Sequence, residues 1–483
     1  VKTNRQIPII AIAGLVLCFA GRLIHYNQSL WCDEMGIPYD YVHASWRQIL
    51  AAGAGDYTPN NHVVYTVLTK VILGVVRNQS ITNITYLIRL PSLISGSLIP
   101  LVLAWPFRRR APGLAILLLL FAAVQPWLIA FSDEPRGYAL MTLLGVIATY
   151  LLPDGQKRWP MGYALVVTLM IYTVPVAGVL LIAHGLTVLI LRPKARSAWL
   201  RGALIGGGIA LVLFLPMAGG IWFYFNHPQP APDNFFAFAN ALPRFAFAGE
   251  YVPVQFDPAS HSGDPSWGIF LWIIAVMILI VGSFCGWRQP QLRLPITVMG
   301  LATVVFVVTA VVIPGAGQER FVPWCALWLV MSLAAISIDL HRRGGIIPAV
   351  CIVLPSLCWF AFRDVVLLPS QPIRGAIAQA DLMAPPGTGI VVAFLAAEDS
   401  VRFYGPLAKS HRVVATPRTS DFLQAEQDAR SVYGHAPWLV LSYEGMVHDG
   451  APQFWQYIQA NYQLRARLPG RITPVAIYAP RDR

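Results

Sequence analysis

A train of long apolar runs constrains this chain more than any other feature. They fall at 7–24, 88–107, 113–131, 138–153, 161–174, 175–191, 203–225, 267–287, 296–313, 322–338 and 345–362, eleven in all. About 20 apolar residues carry a helix across a hydrocarbon core of roughly 30 Å. Only 12% of the residues are charged and 56% are hydrophobic, whereas a soluble domain has roughly 25% charged residues. The expected fold is therefore a polytopic α-helical membrane protein with about 11 transmembrane helices plus interfacial helices.

The net charge of +12 is a nucleic-acid signal only if the basic residues cluster on one surface. Here they sit in short loops between apolar runs, the positive-inside pattern. Segment 62–76 decides the orientation. His62, Thr66, Thr69 and Lys70 recur at helical spacing, so one side of this helix is polar. Its length of about 22 Å falls short of a span, and it is placed in the outer interface or re-entering it. Arg108 to Arg110, Lys157, Arg158, Arg192, Lys194, Arg196, Arg201, Arg288, Arg293, Arg342 and Arg343 then share the inner side with Lys2 and Arg5. The acidic residues Asp33, Glu34, Asp56, Asp133, Glu134, Glu250, Asp257, Asp264 and Glu319 collect outside, and the aromatic loop 226–266 is either an interfacial helix or a packed lid.

Lys2 and Arg5 before an apolar run resemble a signal peptide, but no small-x-small site follows. The run is expected to be an uncleaved first span with its N-terminus cytoplasmic. Cys18, Cys325, Cys351 and Cys358 lie in apolar segments, Cys285 ends one, and only Cys32 faces outside. No disulfide framework or metal spacing emerges.

After residue 363 charge density rises and the apolar runs shorten. Segments 390–394, 412–415 and 438–441 read as buried strands, alternating with helical patterns near 397–404, 420–432 and 450–462. The expected organisation is a membrane domain over 1–362 and a small extracytoplasmic (periplasmic) α/β domain over 363–483. Pro385-Pro386-Gly387-Thr388-Gly389 is a turn, not a phosphate loop.

Four motifs carry chemistry. Leu30-Trp31-Cys32-Asp33-Glu34 puts two carboxylates just past the first span. Adjacent carboxylates repel, so a partly desolvated pair retains a proton or holds a cation, as suits a general base toward a sugar or lipid hydroxyl. Ser132-Asp133-Glu134-Pro135-Arg136-Gly137-Tyr138 places two more carboxylates and an arginine in a short outer loop. Such charges are costly at a membrane unless used or paired, and an internal salt bridge to Arg136 is the other reading. Asn60-Asn61-His62 opens the interfacial helix, where an anion or a metal is a fitting ligand for His62. Gln318-Glu319-Arg320-Phe321 starts a late apolar helix, and Arg320 either grips a lipid phosphate or snorkels. Snorkelling is the expectation for Arg89 and solvation for Arg244.

Together these residues resemble the GT-C superfamily of polyprenyl-phosphate-sugar glycosyltransferases, nearest the protein O-mannosyltransferase and aminoarabinose transferase branch (glycosyltransferase family 39/83-like). Asp33-Glu34 is similar to its acidic pair in the first outer loop. Asn61-His62-Val63-Val64-Tyr65 is similar to its juxtamembrane His-Pro-Pro start, without the prolines. Arg89-Leu90-Pro91-Ser92 matches its Arg-Leu-Pro-Ser. Ser132, Glu134, Arg136 and Tyr138 match its Ser-Arg-Glu-Ala-Arg-x-Tyr, from which Asp133 and Pro135 depart. Arg320-Phe321 is similar to its late Arg-Tyr.

The resemblance implies inverting transfer of a sugar from a polyprenyl-phosphate donor to a glycan, lipid or protein hydroxyl. Asp33 would be the base, with Glu34 and Glu134 orienting the acceptor or a divalent cation. Arg136, His62, Lys70 and Arg320 would neutralise the leaving phosphate, and Tyr138, Asn61 and Trp31 would position acceptor or sugar. Family members differ in metal use. A magnesium, manganese or calcium ion would have Glu34, His62 and Glu134 as candidate ligands. The expected location is a bacterial inner membrane, with the site and C-terminus extracytoplasmic.

A transporter or flippase would place ionisable groups at mid-membrane, whereas the interiors of these runs are nearly free of charge. A polysaccharide ligase or polymerase using a diphosphate-lipid donor, or an idle scaffold whose C-terminal domain binds sugar, also remains. The acidic pair after the first run favours the glycosyltransferase.

Overall fold

The computed structural model describes residues 44–50, 62–76, 81–154, 160–219, 265–312, 323–342, 371–393, 397–470 and 473–481, together with residue 222 and residues 16, 18–23, 26, 28 and 30. The run 345–362 and the aromatic loop 226–264 lie outside the described residues, as does most of the first run. Residues 16 and 18–23 are helical.

The short α1 spans Trp46–Leu50, α2 spans Val63–Val75 and α3 spans Ile81–Ala104. The expected single helix over 113–131 is instead two, α4 (Pro112–Val124) and α5 (Pro126–Asp133), bent by 56°. Apolarity alone hid the break, which is local chemistry. Pro126 has no N–H to donate and disfavours helical backbone at the residue before it. Gln125 is accordingly extended (φ −68°, ψ 121°), and its side-chain oxygen accepts the Leu128 N–H at 2.8 Å, capping α5.

Next come α6 (Tyr138–Tyr150), α7 (Met161–Thr173), α8 (Gly178–Leu191), α9 (Arg196–Phe214), α10 (Pro265–Trp287), α11 (Pro290–Val312) and α12 (Pro323–Arg342). Four described helices are long and apolar enough to cross a membrane, or five if the bent pair is one span. The segments expected as spans near 138–153, 161–174 and 175–191 contain shorter apolar helices. On α9, Leu204, Leu211 and Val212 are each more than 60% exposed, a surface suited to hydrocarbon. The molecule is a polytopic helical membrane protein.

The bundle closes through tight helix contacts and shared polar groups. A Cβ on Gly282 of α10 would fall 2.2 Å from the Cβ and 2.5 Å from the Cα of Ser332 on α12. Only a residue without a side chain permits that approach. Elsewhere, the Thr149 hydroxyl on α6 donates to the Gly145 carbonyl and therefore accepts from His184 Nε2 on α8, 3.1 Å away. The other ring nitrogen, Nδ1, is 3.0 Å from the Tyr163 phenol of α7, which accepts from Trp199 Nε1 of α9. One buried imidazole and the Tyr163 phenol beside it thus tie four helices together, an ionisable group within an apolar run that charge counting passes over.

Helix α2 lies where the sequence places a short helix, and it packs on α3 and α7. Its polar stripe is turned inward: His62, Thr66 and Thr69 are buried, while Leu68, Val71 and Val75 are exposed. The threonine hydroxyls donate to carbonyls one turn back, at His62 and Tyr65, so burying them leaves no donor unmet.

The C-terminal region contains α13 (Ile373–Met383), β1 (Ile390–Ala393), α14 (Ala397–Tyr404), β2 (Val413–Thr416), α15 (Thr419–Tyr433), β3 (Trp438–Ser442), α16 (Glu444–Gly450), α17 (Pro452–Asn461), β4 (Tyr462–Leu468) and β5 (Val475–Pro480). The sheet order is β2-β1-β3-β5-β4, with the first three strands parallel and the last two antiparallel. β1 to β3 are the strands expected from the sequence, while β4 and β5 are additions. β4 reads Tyr-Gln-Leu-Arg-Ala-Arg-Leu and is a largely exposed edge, so it lacks an apolar signature. Strand alternation sends Ile390 and Val392 to one core with α13 and α14, and Val391 and Ala393 to another with Phe422, Phe454 and Ile458. Both faces being covered, the central strands are uniformly apolar. The first core also includes Leu30, Leu73, Ile84 and Ile88, so it is continuous with the membrane region.

Asp381 of α13 accepts the backbone N–H groups of Lys409 and Ser410 and meets His411 Nδ1 at 2.9 Å. Desolvation opposes its ionisation, but these donors outweigh it and hold the carboxyl below its ordinary value of 3.8. A depressed carboxyl contributes stability above pH about 4 that is lost as pH falls through the folded value.

Two stability measurements on the purified protein in detergent follow. Gly282→Ala is expected to lower stability by about 1–3 kcal/mol, because backbone must move to admit the methyl group. Asp381→Ala is expected to lower the unfolding temperature at pH 7, the gap to wild type narrowing below pH about 4.

Candidate active site

The chain between α5 and α6 folds inward. Pro135 holds Glu134 in extended backbone (φ −82°, ψ 128°), which ends α5 at Asp133. The Arg136 N–H then donates to the Glu134 carbonyl at 2.7 Å, and α6 begins two residues later. Ser132, Asp133, Glu134, Arg136 and Tyr138 are all at most 4% exposed. The sequence expects an outer loop here; the structure buries its charges.

Four elements meet around this turn. Ser92 Oγ of α3 lies 3.0 Å from the Arg136 carbonyl, to which it donates, and 3.1 Å from the Tyr65 phenol of α2. The His62 ring stands edge-on to Tyr138, centroids 5.0 Å apart, and the Arg136 guanidinium lies 5.1 Å from the same Tyr138 ring. Phe131 packs edge-on against Tyr138 as well. A Cβ on Gly137 would fall 2.8 Å from Thr173 Cγ2 at the end of α7 and 3.0 Å from His62 Nδ1. Glycine there is what lets the imidazole approach the turn.

The structure thus brings together His62, Arg136 and Tyr138, which the sequence separates by up to 76 residues (138 minus 62), with Glu134 buried on the same turn as Arg136. Lys70 is engaged elsewhere: its ammonium donates to the Ala44 carbonyl at 2.6 Å and lies 5.4 Å from the Trp46 ring. It sits about 12 Å along α2 from His62. Trp31, Asp33, Glu34, Asn61 and Arg320 lie outside the described residues. Among the described residues no group of three or more His, Cys, Asp and Glu side chains is placed to hold a metal ion. The set Glu34, His62 and Glu134 includes one residue outside them.

Two arginines have a larger part than the sequence assigned. Arg89 was expected to snorkel, but it is fully buried and its Nη1 donates to the carbonyls of Tyr26 and Gln28 at 3.2 and 2.7 Å. The reason is backbone demand: Tyr26 and Gln28 are buried, and their carbonyls need donors. Arg22, assigned no site role, is also fully buried. It donates from Nε to Ser132 Oγ at 2.9 Å and from Nη1 to the Cys18 and Ala123 carbonyls. Its signal was a charge inside an apolar run.

Pro91 cannot donate to the Leu87 carbonyl. The phenols of Tyr26 and Tyr65 donate to the flanking Tyr86 and Ile88 carbonyls, so the interrupted turn of α3 is where other segments attach.

Ser132→Ala would leave the Nε donor of a buried arginine without this acceptor. It is expected to lower stability by about 1–3 kcal/mol, read as a fall in unfolding temperature.

No protein-family model matches the sequence, and no curated protein matches it. Solved structures do. ArnT of Cupriavidus metallidurans, an aminoarabinose transferase, aligns in its apo state over 99% of this chain and 98% of its own, with 12% identity and a TM-score of 0.48. The same protein bound to undecaprenyl phosphate aligns with 13% identity, the same coverage and the same TM-score. The Archaeoglobus fulgidus oligosaccharyltransferase, tethered to an acceptor peptide containing the NVT sequon, aligns over 99% of this chain and 74% of its own, with 12% identity and a TM-score of 0.50. That enzyme belongs to the GT-C superfamily, and the likeness to it shows that this chain has the GT-C fold.

Proposed function

We propose that this protein is a membrane glycosyltransferase that moves a sugar from a polyprenyl-phosphate donor to a hydroxyl of a glycan, lipid or protein acceptor, with inversion. The observation that carries the reading is the buried meeting of Arg136, His62 and Tyr138, with Glu134 buried on the same turn, within an apolar helical bundle of GT-C fold. Ionisable groups are rarely sequestered among membrane helices without a task.

In this mechanism Asp33 removes the proton from the acceptor hydroxyl, and the oxygen attacks the anomeric carbon. The bond from that carbon to the phosphate oxygen breaks, and the phosphate leaves on the lipid with the electron pair. Charge develops on the leaving phosphate, where preorganised cations contribute most. Arg136 and His62 supply that charge from the buried cluster, and Arg320, three residues before α12 in the sequence, joins them. Lys70 acts at one remove, since its ammonium is held on the Ala44 carbonyl. Glu34 and Glu134 orient the acceptor, or a divalent cation if one is used, and Tyr138, Asn61 and Trp31 bound the sugar. Residues 1–362 form the catalytic domain and 363–483 the extracytoplasmic one, with the N-terminus cytoplasmic in a bacterial inner membrane. The positive-inside distribution of arginines and lysines supports that orientation.

The test is transfer by the purified protein from a panel of synthetic polyprenyl-phosphate sugars. Asp33→Asn is expected to reduce kcat by about 10²- to 10⁴-fold with little change in donor KM, the size of a general-base contribution. Transfer at the wild-type rate would remove Asp33 as the base.

A further inference from the structure

We infer that the C-terminal α/β domain holds the catalytic segment in place, with Tyr404 as the positioning residue acting through the backbone of Leu30. The inference rests on the proposed reading of Asp33 as the base.

Leu30 N–H donates to the Tyr404 phenol at 2.6 Å, a bond spanning 374 positions of sequence. Leu30 is fully buried and Tyr404 is 1% exposed, so water does not substitute for the partner. A buried backbone N–H left unmet is expensive, and the phenol of the C-terminal domain meets this one. The contact is also packed: Leu30, Phe403, Tyr404, Ile373 and Ile377 belong to one core that includes Ile84 and Ile88 of α3. Tyr404 is itself anchored, because it ends α14, which packs on β1 and β2.

From the other side the membrane bundle holds the same stretch. Arg89 of α3 donates to the Tyr26 and Gln28 carbonyls, and the Tyr26 phenol donates to the Tyr86 carbonyl. Backbone groups of residues 26, 28 and 30 are therefore taken in turn by α3, α3 and the C-terminal domain. Asp33 follows Leu30 by three residues. A chain extends at most about 3.6 Å per residue, so the two Cα atoms lie within about 11 Å. A displaced Leu30 thus displaces the base, and an error of about 1 Å in a reacting group costs about 10²-fold in rate. The bond fixes Leu30 against the C-terminal region, as Arg89 fixes residues 26 and 28 against α3.

The experiment uses the full-length protein in lipid nanodiscs and compares wild type with Tyr404→Phe, which keeps the ring. Hydrogen–deuterium exchange is read at the peptide containing Leu30 and at the sheet peptides over 390–393 and 438–442. The inference expects exchange at Leu30 to rise about tenfold, as for one lost buried hydrogen bond, with the sheet unchanged. Labelling of the native Cys32 by a membrane-impermeant maleimide should quicken in parallel, and kcat should fall with donor KM unchanged. Wild-type exchange at Leu30 in a variant whose sheet stays protected would overturn the inference. So would an unchanged kcat beside raised exchange. If the sheet also loses protection, Leu30→Pro deletes the donor instead and leaves the domain sequence intact; unchanged Cys32 labelling there overturns it equally. Exchange and labelling need no substrate. A wild-type protein inactive on every donor would therefore sink the glycosyltransferase reading while these two arms still judge the clamp.

Discussion

Inside an apolar bundle every backbone group must find its partner within the protein, and here two fully buried arginines supply several of them. Arg89 holds the carbonyls of Tyr26 and Gln28, and Arg22 holds those of Cys18 and Ala123 together with the Ser132 hydroxyl. A guanidinium serves because it offers several donors in a fixed fork. Tyr26, Gln28 and Leu30, which follow the opening helix, are thus held in buried positions.

The buried carboxylates owe their position to breaks in helices. Pro126 splits the apolar run before them, and Pro135 stops α5 at Asp133, turning Glu134 and Arg136 inward. Gly137 then lets His62 approach. Each break frees polar backbone, and two of the freed groups are met nearby: Gln125 accepts the Leu128 N–H, and Ser92 donates to the Arg136 carbonyl. The departure of Pro135 from the motif that the sequence resembles is a structural device, since it makes the turn.

The C-terminal domain belongs to the same accounting. Among the described residues one face of the sheet is buried by the helices that follow its strands, while the core on the other face continues into Leu73, Ile84 and Ile88. An apolar core shared between sheet and bundle joins the C-terminal region to the helices, and the Tyr404 phenol accepts a hydrogen bond from the Leu30 N–H.

Hydrophobic length and strand periodicity were enough to place the helices at 138–150, 161–173 and 323–342 and the strands β1 to β3, because burial in lipid or on both faces of a sheet demands unbroken apolar sequence. The motif order placed His62, Glu134, Arg136 and Tyr138 among the candidates, since buried charge is conspicuous in so apolar a chain. What sequence could not decide was direction and partnership. It left the inward turn of the α2 polar stripe open, missed the edge strand β4, and expected Arg89 to snorkel to the interface. Each depends on what lies opposite in space: the Tyr26 and Gln28 carbonyls for Arg89, the neighbouring strand for β4, and α3 and α7 for the threonines of α2. Hydrophobicity is a property each residue brings with it, whereas a hydrogen bond needs two partners, and only the tertiary structure brings them together.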